Sequence, residues 1–288
     1  RRLVTIEQVW ERGSPQSHDR TNQDIVIGIK EEDNSLLTFS PGHSHAPHTL
    51  IAGSTGSGKS VLMQSILLGL AVTNSPAQAR IVLIDPKQGV DYFAFDGLPH
   101  LEGGVIETQE AAVQRLEALV VEMERRYRLF REVRANSVST YNAKVSEEHR
   151  LPNYFVIHDE FADWMLTEEY KTAVTSTVGR LGVKARAAGI HLIFAAQRPE
   201  ANVMPMQLRS QLGNRLILRV DSEGTSEIAL GEKGAERLLG RGHLIAKLEG
   251  EQELIYAQVP FSSPEFIEAI VAHLAEKWSA HDAALTQS

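Results

Sequence analysis

Short, mostly apolar runs alternate along the chain with longer stretches in which apolar residues recur every three or four positions. Runs of this kind are typical of strands that are buried on both faces of a sheet. They are Thr49–Ala52, Ile81–Ile84, Tyr154–Ile157, Ile190–Phe194 and Leu216–Leu218. The stretches Lys59–Ala71, Glu107–Arg134 and Thr167–Ala188 have helical spacing. Buried strands alternating with helices predict an α/β fold with a mainly parallel central sheet flanked by helices.

The two ends of the chain have a different pattern. Residues 24–29 and 36–39 predict a hairpin, and residues 242–247 and 253–257 predict a second hairpin that closes the sheet. Residues 263–278 have the pattern of a C-terminal helix, with the last ten residues frayed. We therefore expect an N-terminal hairpin and lead-in over 1–46, a core over 47–262, and a C-terminal helix and tail over 263–288.

Composition limits the possible functions. The chain has 288 residues and no cysteine, which excludes disulfides, thiolate catalysis and cysteine zinc sites. It contains no apolar run long enough to cross a bilayer, so we expect no membrane contact from this segment and a cytoplasmic location. Its start, Arg1-Arg2-Leu3, indicates a segment of a longer protein. With 29 basic and 37 acidic residues, the net charge of −8 means that any nucleic-acid contact must come from a local basic surface.

The segment between the first core strand and its helix carries the clearest chemical signal. It reads GSTGSGKS over residues 53–60 and fits the phosphate-binding pattern G-x-x-x-x-G-K-[ST]. Lys59 is expected to reach the β- and γ-phosphates of ATP, and the Ser60 hydroxyl to hold Mg²⁺. The predicted nucleotide-binding residues are Gly53, Ser54, Thr55, Gly56, Ser57, Gly58, Lys59, Ser60 and Val61. The alternative is a flexible Gly/Ser turn.

Two acids follow the strand at 154–157. Asp159 stands where a magnesium ligand belongs, and Glu160 where a base orients the attacking water, which favours hydrolysis over phosphoryl transfer to a metabolite. The alternative is that the pair only caps a helix. Gln197 ends the next strand. It either senses the γ-phosphate or the catalytic water, or satisfies loop backbone as a buried amide.

With these residues in place, the sequence resembles the motor domain of the FtsK/SpoIIIE family of double-stranded DNA translocases. The resemblance runs from about residue 20 to residue 260 through segments in the family's order. The segments are 47–53, 83–87, 123–127, 159–163, 184–191, 196–199, 234–236 and 238–240.

The resemblance implies a RecA-like P-loop NTPase that works with ATP and Mg²⁺ as a hexameric ring around duplex DNA. The family's membrane anchor, second motor subdomain and DNA-reading domain would lie outside this segment. Each ATP site is completed by an arginine from the neighbouring subunit, for which Arg125 and Arg126 are the first candidates and Arg186 the next. The alternative for the pair is the solvated face of a long helix.

The family's pore contacts with DNA phosphates correspond to Arg198 and Arg209, with Arg215 as a further candidate. The alternative for Arg198 is a structural residue that bonds loop carbonyls. One departure stands out, because residues 220–227 are acidic where the family has a basic pore loop. That departure leaves open a type VII secretion-like ATPase that moves proteins, a slow ATP-binding switch, and the C-terminal ATPase of a larger defence or mobile-element protein.

Overall fold

The computed structural model describes residues 4–12, 25–40 and 47–286, with side-chain surroundings described as far as residue 280. Asp24 at the start of the first predicted strand, most of the lead-in before residue 47, and residues 287–288 lie outside the described residues. The strands are β1 Ile25–Lys30, β2 Leu36–Phe39, β3 Thr49–Ala52, β4 Ala79–Ile84, β5 Leu101–Ile106, β6 Asn153–His158, β7 Ile190–Ala196, β8 Asn214–Leu218, β9 His243–Lys247 and β10 Ile255–Gln258.

These strands form one sheet in the order β2-β1-β10-β9-β8-β3-β7-β6-β4-β5. The six strands from β8 to β5 run parallel to one another. The four strands at the other edge pair antiparallel, and β9 also pairs antiparallel with β8. The mainly parallel α/β sheet and both hairpins are therefore confirmed. Because parallel strands end at one edge, residues that follow β3, β4, β6 and β7 come together there.

Helices cover both faces of the sheet. They are α1 Ile6–Arg12, α2 Lys59–Thr73, α3 Gln109–Glu132, α4 Val138–Asn142, α5 Phe161–Trp164, α6 Glu168–Leu181, α7 Lys184–Ala187, α8 Met206–Gln211, α9 Glu223–Ala229 and α10 Pro264–Thr286. Short 3-10 helices occupy Val90–Phe95, Glu147–His149 and Ala235–Arg237. No helix in the described part of the chain is long and apolar enough to cross a membrane.

Alternate residues of the central strands face opposite layers, as the pleat of a strand requires. In β4, Val82 and Ile84 pack with α3 and α6 on one face, whereas Ile81 and Leu83 pack with α2 and α10 on the other. The two apolar layers bury every side chain of β3 and β7. This double burial explains why these strands read as nearly continuous apolar runs.

The structure corrects four local expectations. The helix predicted over 167–188 is broken at Gly182, where φ is +40°. Residues 223–229 form α9, whose N-terminus is capped by the Ser222 hydroxyl, rather than a loop. The C-terminal helix continues to Thr286 instead of fraying after Trp278. The strand β5 was not predicted, because Gly103 and Gly104 interrupt its apolar pattern.

A candidate nucleotide-binding and hydrolysis site

The glycine-rich loop that follows β3 is held by backbone hydrogen bonds from two sides. The N–H of Gly53 donates to the carbonyl of Ala196 (3.2 Å), and the N–H of Ser54 donates to that of Arg219 (2.8 Å). From the segment that leads into β9, the N–H of Gly242 donates to the carbonyl of Ser57 (2.6 Å). The loop is therefore clamped between the ends of neighbouring strands.

Gly58 illustrates why the loop needs glycine. Its φ of +102° belongs to the region that side chains disfavour, and a Cβ there would lie 2.6 Å from the backbone nitrogen of Gly242. A larger residue would push the loop away from the β9 segment. The helix α2 begins directly afterwards at Lys59, so its positive end points towards the loop.

Lys59 lies against both predicted acids. Its ammonium donates to Oδ1 of Asp159 and lies 2.9 Å from Oε1 of Glu160. All three residues are buried, with at most 6% of each exposed. Burial alone would lower the pKa of Lys59, but the charges of Asp159 and Glu160 outweigh it and raise that pKa. The structure thus brings together the three residues on which the sequence argument depended.

Glu160 is held in a strained backbone conformation. Its φ is +44° and its ψ is +36°, which is uncommon for a residue other than glycine. Its N–H donates to Oδ1 of Asp159 (2.9 Å), and its Oε2 accepts from the N–H of Gln197 (3.3 Å). Lys87, from the loop after β4, lies 3.4 Å from its Oε1. Strain of this kind is often found at functional sites.

Gln197 joins the acid pair to the glycine-rich loop. Its amide oxygen accepts from the hydroxyl of Thr55 (3.1 Å), while its backbone N–H bonds Glu160. The side chain is half-buried and lines the same cavity as Lys59 and Ser60. The side chain therefore both bonds the loop through Thr55 and faces the cavity.

Tyr92 and Asp91 are site residues that sequence reasoning missed. Both lie on the 3-10 helix Val90–Phe95, which follows the loop after β4. The Tyr92 hydroxyl donates to Oδ2 of Asp159 (2.6 Å), and the hydroxyl of Ser60 donates to Oδ2 of Asp91 (3.4 Å). Burial, followed by the charge of Asp159, raises the pKa of Tyr92 well above its ordinary value, so the phenol stays a donor. The available signal was position, since this segment follows a strand that ends at the same edge.

The ring of His158 lies next to the acid pair and bonds its backbone. Its Nδ1 donates to the carbonyl of Asp159 (2.9 Å), because a carbonyl can only accept, and its Nε2 accepts from the hydroxyl of Tyr170 (2.5 Å). Burial lowers the pKa of His158 to about 4, so the ring is neutral near pH 7. The ring packs among Phe161, Trp164 and Phe194.

The loop and its surroundings fit a triphosphate with a magnesium ion. A cavity of about 610 Å³ extends from the loop to the β10 side. It is lined by Ser54, Thr55, Gly56, Gly58, Lys59, Ser60, Val61, Lys87, Asp91, Gln197, Arg241, Gly242, Gln258, Val259 and Phe261. Within the described residues, the buried Ser57 hydroxyl has no hydrogen-bond partner. The hydroxyl of Ser60 and the carboxylate of Asp159 are oxygen ligands of the kind that Mg²⁺ prefers.

The two arginines predicted to complete a neighbouring subunit's ATP site differ sharply in exposure. The guanidinium of Arg126 donates to the carbonyls of Pro152 and Ala188 (both 2.7 Å), and only 1% of its side chain is exposed. It cannot reach a neighbouring subunit without leaving the core, which argues against that prediction. Arg125 is 46% exposed and paired with Glu122 (2.7 Å).

The arginines predicted to contact DNA also separate. Arg215 donates to the carbonyls of Leu212 (2.7 Å), Ala229 (2.6 Å) and Arg209 (2.8 Å), and burial lowers its pKa to about 10. Its guanidinium is bonded to carbonyl groups of the domain itself, which argues against a DNA contact. Arg198 is 76% exposed and lies 3.9 Å from Asp221, and Arg209 is half-buried.

Comparisons with known proteins agree on one family. The profile of the FtsK/SpoIIIE family matches residues 11–201. "DNA translocase FtsK" of Campylobacter jejuni is 41% identical over 257 residues, which are 88% of this chain and 26% of that protein. The protein of the same name from Lactococcus lactis MG1363 is 34% identical over 286 residues, 96% of this chain and 36% of that protein. The chain thus spans roughly a quarter to a third of the length of these relatives.

Two solved structures share the fold over nearly the whole chain. The conjugation coupling protein TcpA of pCW3, solved with ATPγS, has a TM-score of 0.78 and 25% identity, and the match covers 94% of this chain and 74% of that one. The cytoplasmic domain of the type VII secretion ATPase EccC of Thermomonospora curvata also has a TM-score of 0.78, with 26% identity. That match covers 96% of this chain and 34% of that one.

Proposed function

Because this chain belongs to the FtsK/SpoIIIE family, we propose that it is the ATP-hydrolysing motor domain of a double-stranded DNA translocase in the cytoplasm. The observation that carries the proposal is the meeting of Lys59 with Asp159 and Glu160 beside a clamped glycine-rich loop. A P-loop lysine and two acids at one sheet edge are the parts that ATP hydrolysis requires. The family relatives named as DNA translocases support DNA as the track.

In the proposed mechanism, Lys59 exchanges its carboxylate partners for the phosphates of ATP. The N–H groups of the loop and the positive end of α2 bind phosphate oxygens. Ser60 and Asp159 would hold Mg²⁺, which supplies charge neutralisation at the phosphates when bound. Release from Lys59 frees the carboxylate of Glu160 to orient and deprotonate the attacking water.

Gln197 is proposed to report the state of the site. It contacts both Thr55 in the loop and Glu160, and Arg198 follows it directly in the chain. Only Gln197 therefore separates the residues around the phosphates from the exposed Arg198. This proximity supports a coupling of ATP hydrolysis to movement of a DNA-contacting residue.

We propose that the motor works as a hexameric ring in the full-length protein. Arg125 is retained as the candidate that completes a neighbour's site, because its guanidinium lies at the surface. Arg198 and Arg209 are retained as DNA-phosphate contacts, which are independent of sequence and weaken with salt. Arg126 and Arg215 are left out because carbonyl groups of the domain already occupy them.

A second candidate is a motor that moves proteins, as type VII secretion ATPases do. The fold shared with EccC favours it, as do the acidic residues Asp221, Glu223 and Glu227, of which Asp221 lies 3.9 Å from Arg198. Acids at that place would repel DNA phosphates. A slow ATP-binding switch is the least favoured function, since both Asp159 and Glu160 are present and in place.

Steady-state ATP hydrolysis with and without duplex DNA, at two salt concentrations, tests the proposal. We expect any duplex sequence to stimulate hydrolysis, and the stimulation to fall steeply at the higher salt concentration. Hydrolysis that ignores DNA but responds to a protein substrate would favour the secretion motor. The absence of hydrolysis under every condition would leave the switch.

A further inference from the structure

The two oxygens of the Asp159 carboxylate have different partners. Oδ1 accepts from the ammonium of Lys59 and from the N–H of Glu160, which lies 2.9 Å away. Oδ2 accepts from the hydroxyl of Tyr92 at 2.6 Å. Tyr92 is only 2% exposed, and its ring belongs to the apolar layer that includes α2 and α10. The phenol thus ties one carboxylate oxygen to the domain core.

Within the described residues, only the side chains of Lys59 and Tyr92 donate to this carboxylate. In the proposed mechanism, Lys59 leaves it to bind the phosphates of ATP. Once Lys59 bonds phosphates, Tyr92 is the side-chain donor that remains on Asp159. A carboxylate that keeps one fixed hydrogen bond loses less rotamer freedom than a free one when it binds a cation. The partnership with Tyr92 therefore matters most in the nucleotide-bound state.

The segment that carries Tyr92 reaches both predicted magnesium ligands. Neighbouring Asp91 accepts from the Ser60 hydroxyl at 3.4 Å, and its carbonyl accepts from the amide of Gln64 at 2.7 Å. The 3-10 helix Val90–Phe95 also packs against α10. One short segment thus bonds Ser60 through Asp91 and Asp159 through Tyr92.

We propose that Tyr92 is a positioning residue, which holds the Asp159 carboxylate in the orientation that binds the magnesium of Mg·ATP. This inference rests on the proposed function, because it concerns the same nucleotide site. Tyr92 acts through Asp159 and touches neither the phosphates nor the attacking water. Its removal should affect the magnesium requirement more than the affinity for nucleotide alone.

Binding of ATPγS, measured by calorimetry across a range of Mg²⁺ concentrations and in EDTA, tests this role. Tyr92→Phe keeps the ring and removes the hydroxyl. We expect its affinity in EDTA to stay within about twofold of wild type, and its half-maximal Mg²⁺ concentration to rise about tenfold, as loss of a hydrogen bond to a charged group predicts. Tyr127→Phe is the matched control, since that hydroxyl donates to the carbonyl of Lys184 (2.9 Å) away from the site.

A double-mutant cycle keeps the assignment to Asp159 testable. In an Asp159→Asn background, Tyr92→Phe should leave the Mg²⁺ requirement unchanged, because the two side chains act as one unit. The inference is overturned if Tyr92→Phe keeps the wild-type Mg²⁺ requirement, if it weakens binding equally in EDTA, or if its effect adds fully to that of Asp159→Asn. Failure of the wild-type protein to bind ATPγS would instead contradict the proposed function, and this outcome is distinguishable from the three above.

Discussion

The charged residues at the sheet edge and the arginines predicted to contact DNA or a neighbouring subunit differ in how they are arranged in the fold. Lys59, Asp159 and Glu160 are all buried and bond one another at the sheet edge. The arginines are scattered, with Arg126 buried on carbonyls and Arg198 76% exposed. The difference teaches that a buried cluster of opposite charges at a sheet edge is a candidate reaction site, whereas a single buried arginine can be purely structural.

The largest effect should follow from removing the charge of Glu160. We expect Glu160→Gln to lower kcat for ATP about 10² to 10⁴-fold, the usual contribution of a general base, while ATP still binds because Lys59 and the loop are intact. Steady-state turnover and nucleotide binding measure the two effects. Glu147→Gln, an exposed acid in a short 3-10 helix, is the control and should turn over like wild type. Turnover of Glu160→Gln close to wild type would remove Glu160 from the base role.

The next effect separates the two neighbouring arginines. Arg126→Ala removes a buried guanidinium that satisfies two carbonyls and lies over the Tyr154 ring, so we expect a loss of about 3 kcal/mol in the free energy of unfolding. Arg125→Ala removes an ion pair whose arginine is 46% exposed and should cost less than about 1 kcal/mol. Urea unfolding monitored by circular dichroism measures both. Equal losses would contradict the structural role of Arg126.

Acid should weaken the fold through buried histidines. Burial, the first cause in each case, lowers the pKa of His48 to about 3 and that of His100, His158 and His191 to about 4, below the ordinary 6.5. Since the unfolded chain then binds more protons, stability is present above pH 6.5 and is lost as the pH falls towards 4. We expect each histidine to cost about 1 kcal/mol between pH 7.5 and 6.0. Urea unfolding at the two pH values measures the loss, and equal stability would contradict it.

The smallest effect concerns the exposed arginine. Arg198→Ala should weaken duplex DNA binding severalfold for every sequence and reduce the salt slope by about 1, as expected for one lost phosphate contact. Fluorescence anisotropy across a salt series measures both quantities. Arg131→Ala, an exposed arginine near the end of α3, is the control. An unchanged slope for Arg198→Ala would place Arg198 outside the DNA contact and support its structural reading.

The sequence predicted the part of the candidate site that lies in contiguous motifs. The loop at 53–60 and the acids Asp159 and Glu160 each follow an apolar strand, and parallel strands deliver such residues to one edge. The mainly parallel sheet was predicted because buried apolar strands alternate with helices along the chain. The order of the strands and the pairing of β1 with β10 and of β8 with β9 involve residues far apart in the chain, so they were not predicted.

The residues that were missed have partners far away in the chain. Tyr92 bonds Asp159 across 67 positions, and the segment 90–95 has neither a strand nor a helix pattern. Arg126 looked like a surface residue of a long helix, because no local pattern reveals that the carbonyls of Pro152 and Ala188 meet its guanidinium. Such contacts arise only when separate elements pack.

The most direct test of the account is a crystal structure of this chain with ATPγS and Mg²⁺. We predict the triphosphate in the loop at 53–60, the Lys59 ammonium on its phosphates rather than on Asp159 and Glu160, and the Tyr92 hydroxyl still on Asp159. A nucleotide bound elsewhere, or a Lys59 that keeps both carboxylates while the loop holds no phosphate, would contradict the central claim.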